Sequence, residues 1–249
     1  MKRLLLLLLL CSSIAQAQIV NAESLRKVSD TSRWSGSATL NFALARNVND
    51  LISLGTDIHL QYNKDRHLAL FKNQILFQKL NDEDFSNGGI QHFRYNYRLT
   101  TRWTAEAFAQ GQYNRVAKIG FRGLIGTGPR FAISTNEKYR VNIGSLLMYE
   151  YEKVDDGITP LQRDFRLSSY LALSFYPTDN ITFVSTTYYQ PQVDQWSDHR
   201  VSSESNLVFM LYKNLKFNMT YVFIFDAFPA VGIPTSQYRL SSGLTYTFD

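Results

Sequence analysis

The sequence predicts an all-β fold, a transmembrane antiparallel up-and-down β-barrel of twelve strands. Three observations predict it. The end of the chain alternates without a break: Tyr238, Leu240, Ser242, Leu244, Tyr246 and Phe248 share one parity, and Gln237, Arg239, Ser241, Gly243, Thr245 and Thr247 share the other. Period two means a strand with one apolar and one polar face. The beginning reads as an export signal, with Lys2-Arg3, an apolar run over 4–10 and the small-x-small site Ala15-Gln16-Ala17. After Ala17 no apolar run reaches the about 20 residues that a spanning helix needs. An exported chain of amphipathic strands ending in aromatics fits a closed barrel in the bacterial outer membrane, because lipid tolerates no open sheet edge.

The chain divides into residues 1–17 as a cleaved signal peptide, 18–32 as a periplasmic N-terminal tail without strand pattern, and 33–249 as the barrel. Cys11 is the single cysteine and leaves with the signal, so neither a disulfide nor a cysteine metal site is expected. The bulky Leu10 before it speaks against lipidation. A mean hydropathy of −0.21 would suit a soluble protein, but only every second residue of a barrel strand meets lipid. The 15 tyrosines and 17 phenylalanines suit strands and the belts at membrane interfaces. The net charge of +5 includes Lys2 and Arg3. The remainder is weakly basic with both signs interspersed, which argues against a nucleic-acid partner.

Each strand is read from its alternation. The first, 33–45, sets Trp34, Gly36, Ala38, Leu40, Phe42 and Leu44 against Ser35, Ser37, Thr39 and Asn41. The second sets Ile52, Leu54, Ile58, Leu60 and Tyr62 against Ser53, Asp57, His59 and Gln61. The third, 67–79, is less regular, with Ala69, Phe71, Ile75 and Phe77 on its lipid parity. The fourth to sixth put Phe93, Tyr95 and Tyr97, then Trp103, Ala105 and Ala107, then Phe121, Ile125 and Ile133 outward. The seventh to ninth do the same with Tyr139, Ile143 and Leu147, with Phe165, Leu171 and Phe175, and with Ile181, Phe183 and Tyr189. Leu207 and Phe209, then Phe217 and Tyr221, mark the tenth and eleventh, and 238–248 is the twelfth.

Connections alternate in length. Those at 63–66, 100–102, 135–138, 178–180 and 213–214 are short and rich in Asn, Asp and Thr. Those at 81–89, 153–162, 191–198 and 227–235 are longer. Outer-membrane barrels have short periplasmic turns and long outer loops, and an even strand count puts both termini in the periplasm. Trp34, Tyr62, Tyr97, Trp103, Tyr139 and Phe175 fall beside the short turns, and Tyr113, Tyr149, Tyr151, Tyr189 and Phe225 fall at the other end. Those are the two places where amphipathic rings belong.

The ending Ser241-x-Gly243-x-x-Tyr246-x-Phe248 resembles the β-signal read by the barrel-assembly machinery, with Asp249 added after the usual terminal aromatic. From Trp34 onward the chain also resembles the YdiY-like "salt-stress-induced outer-membrane protein" barrels. The clearest stretch is 93–133, which opens on Arg94-Tyr95-Asn96-Tyr97 and carries Arg122, Gly126 and Gly128. Residues 46–50 lack the glycine expected in the first hairpin. The resemblance implies fold and membrane and supplies no activity.

On the polar parity Arg94, Arg98, Glu106, Arg122, Arg130, Arg140, Glu150, Glu152, Asp164, Arg166, Arg200, Glu204, Asp226 and Arg239 are expected to point into the lumen. They read either as a selectivity lining or as a structural ion-pair network filling a narrow lumen. The second is favoured, with Arg122 expected beside Glu106, Arg94 and Arg140. Mixed signs argue against a strongly selective pore. An outer-membrane lipid hydrolase would pair a histidine with a serine, but none of His59, His67, His92 and His199 stands two residues before one. His199, near Ser202 and Ser203, reads as a rim histidine. Asp82, Glu83, Asp84, Asp155 and Asp156 lack the spacing of a calcium loop. Gly120, Gly126 and Gly128 precede no helix, so they make no phosphate loop and read as places of curvature or close approach. The expectation is a non-enzymatic barrel of structural or narrow-channel type, without catalytic residues, cofactor or metal. The alternatives are a lipid-modifying enzyme and a subunit of a larger outer-membrane complex. The partners are outer-membrane lipid, the assembly machinery and other outer-membrane proteins.

Overall fold

The computed structural model describes residues 33–46, 49–81, 83–212 and 215–246. The expected signal peptide and tail lie outside them, as does Phe248. The strands are β1 (Trp34–Arg46), β2 (Asp50–Lys64), β3 (His67–Leu80), β4 (Glu83–Arg98), β5 (Trp103–Asn114) and β6 (Ile119–Thr135). They continue as β7 (Tyr139–Val154), β8 (Gln162–Thr178), β9 (Ile181–Pro191), β10 (His199–Tyr212), β11 (Leu215–Asp226) and β12 (Ser236–Tyr246). Each pairs antiparallel with the next in chain order. The fold is a 12-stranded up-and-down β-barrel, as the alternation predicts.

Contacts across the interior show that the sheet curls. The Arg94 guanidinium on β4 lies 5.9 Å from the Tyr170 ring centre on β8. Four strand spacings would put their backbones about 19 Å apart in a flat sheet. At the loop end, Lys118 Nζ donates to the Val231 carbonyl at 2.6 Å, joining the β5–β6 and β11–β12 connections. The curl leaves a seam. Among the described residues β1 pairs only with β2 and β12 only with β11, and no ladder joins β1 to β12.

The register keeps the apolar parity outside on every strand. Phe71 lies opposite both Leu60 and Phe93, and Leu171 lies opposite Ile143. Leu40, Ile125, Leu147 and Phe165 are all more than half exposed on this outer face. Aromatic pairs ring both ends of the wall. Trp34–Tyr62 and Trp103–Phe131, each with centroids 4.8 Å apart, sit beside the short turns. Tyr149–Phe165 at 5.3 Å sits near the longer loops.

One connection differs from expectation. Residues 81–89 are not a loop: β4 starts at Glu83, and Leu80 pairs with Glu83. Asn81 takes a left-handed backbone (φ 50°), which asparagine tolerates in a tight turn. A register shift at Gln78/Lys79 carries the hairpin outward. The long connections are residues 155–161, 192–198 and 227–235, and the shorter 115–118 shares their end of the barrel. Residues 213–214, the expected turn between β10 and β11, lie outside the described residues.

The interior is less polar than its parity suggests. Phe108, Leu146, Met148, Tyr170, Ala172 and Tyr188 form a buried apolar cluster with Leu124 against it. All belong to the inward parity of β5 to β9. Leu70 on β3 and Ile90 on β4 are likewise buried on the inward side. The barrel therefore has a core of its own on one arc of the wall.

Candidate functional site

Two groups of charges occupy the lumen, one on either side of the apolar cluster. The group nearer the short turns centres on Glu106 of β5. It accepts from Tyr170 Oη at 2.6 Å and faces Arg94 Nη1 at 3.4 Å and Arg130 Nη1 at 3.6 Å. Arg94 also lies 5.5 Å from the Phe108 ring centre. The rings fit because small residues stand opposite them. Tyr170 pairs with Gly144 and Phe108 with Gly126, and a Cβ at either glycine would collide with the facing ring. Gly126 is thus a site of close side-chain approach.

The group nearer the loops centres on Glu150 of β7, which is fully buried. It faces Arg122 Nε at 3.1 Å and Arg166 Nε at 2.5 Å, and it accepts from Arg200 Nη1. Glu152 accepts from Arg122 Nη2 at 2.6 Å and from Arg200 Nη2 at 2.8 Å. Arg200 Nε reaches Asp226 at 2.8 Å, and Arg166 Nη2 reaches Asp198 at 2.9 Å. Three guanidiniums and four carboxylates thus interlock across β6, β7, β8, β10, β11 and the β9–β10 connection. Pairing at these distances offsets the desolvation of charges shut away from water.

The neighbours of Arg122 differ from those the sequence suggests. Its partners are Glu150 and Glu152, not Glu106. The β5–β6 register sets Gln112 opposite Arg122 and Gly128 opposite Glu106. Gln112 is six residues beyond Glu106 along β5, about 20 Å at the rise of a strand. Arg140 and Arg98 join neither group. Arg98 is exposed at the turn end and donates to the Asp65 carbonyl, and Arg140 lies opposite Ser174 near the same end. Asp164 accepts from Gln192 Nε2 at 3.1 Å beside the loop-side group. Glu204 accepts from Asn206 at 2.9 Å. Arg239 lies on β12 opposite Val222. Ser241 and Gly243 are exposed on β12, and Tyr246 is its last residue.

A cavity of about 170 Å³ opens from the loop-side group toward the loops. Its wall includes His92, Gln110, Arg122, Gln162, Tyr188 and Phe228. His92 Nδ1 meets Gln110 Oε1 at 2.8 Å, and Gln110 Nε2 donates to Gln112 Oε1 at 2.6 Å. The β7–β8 and β11–β12 connections meet over the barrel, where the Val231 amide donates to Asp156 Oδ2 at 3.3 Å. Asp156 also accepts from the Thr159 hydroxyl and from the Thr159 and Ile158 amides. The Thr159 hydroxyl first, then those amides, hold its carboxyl well below the usual carboxylate range.

Tyr170, Tyr188, His92 and Asp198 were not marked by the sequence. The one signal available was a glycine, Gly144, on an otherwise filled parity. The other histidines have structural surroundings. His67 Nδ1 meets Tyr95 Oη at 2.6 Å. His199 meets the Ser197 carbonyl at 3.0 Å and stacks on Phe225. Among the described residues no three His, Cys, Asp or Glu side chains are placed to hold a metal ion.

These features define an up-and-down barrel whose lumen is filled along one arc. The chain belongs to the family described as "Protein of unknown function, DUF481", whose model matches residues 38–248. No curated protein sequence matches it significantly. Among solved structures it is similar to the NanC porin, at 11% identity and TM-score 0.49, over 79% of this chain and 94% of that one. It is also similar to a bacterial polysaccharide outer-membrane secretin, at 10% identity and TM-score 0.45, over 85% and 90% of the two chains. A third is the KdgM porin in complex with disordered oligogalacturonate, at 9% identity and TM-score 0.42, over 86% and 100%.

Proposed function

We propose that the protein is an integral outer-membrane barrel of structural or narrow-channel type, with its termini in the periplasm and residues 1–17 removed on export. Lipid would cover the outer face, where apolar side chains between two aromatic rings form a patch far larger than a monomer leaves to water. The periplasmic side follows from the short turns, which share an end with the start of β1 and the end of β12. The ending from Ser241 to Phe248 would be its address for the assembly machinery, and the YdiY-like barrels are the branch it resembles.

The carrying observation is the filled lumen. Ion pairs around Glu106 and Glu150, with the apolar cluster between them, occupy the arc from β4 to β10. A wide aqueous pore needs a hydrated lining, whereas these charges are spent on one another. No hydrolytic reading is supported: His67 meets a tyrosine hydroxyl, His92 a side-chain amide, and His199 a backbone carbonyl and an aromatic ring. Planar-bilayer recording on the purified barrel tests this. Small, intermittent conductance without strong ion selectivity is expected. Large, steady conductance would overturn it.

A further inference from the structure

We infer that the outer wall carries a binding groove for a phosphorylated glycolipid of the outer leaflet, of the lipid A class, on strands β4 to β8 at the loop-end aromatic belt. The inference rests on the outer-membrane reading above, with the longer loops facing outward. A groove of about 460 Å³ runs over the lipid-facing side of these strands. The ladder sets Gln91, Gly111, Gly123 and Tyr151 in one outward row across β4, β5, β6 and β7. The two glycines form the floor, since neither has a side chain to fill it. Phe93, Phe121, Ile125 and Tyr149 stand around it. A trough of small residues between rings gives a hydrocarbon chain close contact on several sides.

Charge says what that hydrocarbon chain is attached to. Arg163 on β8 lies opposite Tyr151, and its guanidinium sits 5.8 Å from the centre of that ring. Lys153 on β7 lies two residues loopward of Tyr151 and opposite Phe121. Both cations are exposed on the outward parity, and as diagonal cross-strand neighbours they stand about 7–8 Å apart. Among the described residues neither forms an ion pair, whereas the exposed Arg46 is matched by Asp50 at 3.3 Å. The nearby Asp155 lies against Gly120. Two such cations at the upper end of an acyl groove match a phosphorylated lipid head. Gln91 narrows the choice. It is exposed on the outer wall, donates to Asn73 Oδ1 at 3.0 Å, and Asn73 donates to Thr56 at 3.2 Å. A carboxamide has four hydrogen-bonding positions, and hydrocarbon serves none of them. Hydroxyl and amide groups near the head of a glycolipid's acyl chains would serve them, and a plain phospholipid tail would not.

The test is native mass spectrometry of the barrel, refolded in detergent without lipid and titrated with diphosphoryl lipid A. Phosphatidylglycerol and phosphatidylethanolamine are the comparison lipids. Saturable binding of lipid A is expected, at least about tenfold tighter than either phospholipid. The double variant Lys153→Gln, Arg163→Gln should weaken it about thirtyfold. Gly111→Leu, which fills the floor and leaves both cations in place, should weaken it about tenfold. A Cβ at Gly111 meets only the Phe121 ring, at an ordinary 3.7 Å, so this variant should keep heat-modifiable migration on gels. Either variant remains informative if the other misfolds. Phosphatidylglycerol bound as tightly as lipid A would mean that the site reads lone charge, and would overturn the inference. Unchanged lipid A binding in both variants would also overturn it. Insertion of the wild type into neutral phosphatidylcholine vesicles checks the membrane reading separately. A barrel that inserts there yet does not prefer lipid A overturns this inference alone, and one that does not insert overturns both.

Discussion

The two sides of the barrel wall are built differently. On the arc from β4 to β10, inward side chains are long and meet across the lumen: Arg94, Glu106, Glu150, Tyr170 and Arg200 are each tied to at least one strand beyond their hydrogen-bonded neighbours, and Arg166 reaches Asp198 in the β9–β10 connection. At the seam, most inward side chains are short, with Gln237 and Arg239 of β12 as the long ones. Ser35, Ser37, Thr39 and Asn41 of β1 face in, as do Ser241 and Gly243 of β12, and nearly all are exposed. Backbone ladders hold β1 to β2 and β12 to β11, joined on β1 by the Trp34–Tyr62 ring pair and the exposed Arg46–Asp50 ion pair with the adjacent strand. The same up-and-down topology thus has one arc stabilised across its interior and one stabilised by contacts between adjacent strands.

The largest expected effect is on the filled arc. Glu150→Ala strips the common partner from Arg122, Arg166 and Arg200 and should lower the unfolding free energy by about 3–5 kcal/mol. Urea titration in detergent would measure it. Ser37→Ala on β1 should stay within about 0.5 kcal/mol of wild type in the same assay. Comparable losses in both variants would erase the contrast.

Next comes the outer face, where both regions should behave alike because lipid meets both. Leu40→Arg at the seam and Leu171→Arg on the arc should each cost about 2–4 kcal/mol if they lie near the bilayer midplane. Inward charges should separate the regions. Ser37→Arg should be tolerated, whereas Ser174→Arg, which is buried beside Val184, should not. Equal tolerance of Ser37→Arg and Leu40→Arg in a folding assay would sink the parity of β1.

Tyr170→Phe probes a single bond. Losing the hydroxyl leaves Glu106 short of one donor and should cost about 1–3 kcal/mol. A smaller loss would mean that Arg94 and Arg130 close on Glu106 unaided. Gly144→Ala, which drives a methyl into the Tyr170 ring, should cost about as much through overpacking.

How much of this could be read beforehand follows from the physics of strands. Period two marks the strands and their lipid parity directly, and all twelve are found. Turn chemistry marks most connections, but the Asn, Asp and Gly of 81–89 suggest a loop, because these residues also occur in strand ends near a register shift. Partner choice inside the lumen was not legible. Arg200 and Glu150 are fifty residues apart, and they meet only because strand register and curvature bring β7 and β10 to face each other. The apolar cluster was hidden for a related reason. Phe108, Met148 and Tyr170 sit on the parity read as polar, and only glycines opposite two of them hint that rings fill the interior.

The smallest effect lies in the loops. Hydrogen bonds lower the Asp156 carboxyl, so its tie to Val231 contributes above the ordinary carboxylate range, near about pH 4. The contribution is lost as the pH falls through the lowered value. Asp156→Ala should speed amide exchange at Val231 at neutral pH and leave the strands unchanged. Unaltered exchange would mean that the other loop contacts hold the mouth without it.

Strand-resolved amide hydrogen exchange on the folded barrel in detergent tests the contrast between the two sides most directly. The account predicts slowest exchange in β6, β7 and β8, where lumen contacts lock the wall, and fastest exchange in β1 and β12. Glu150→Ala should speed exchange on the arc without changing it at the seam. Uniform protection around the barrel, with β1 as slow as β7, would contradict the account.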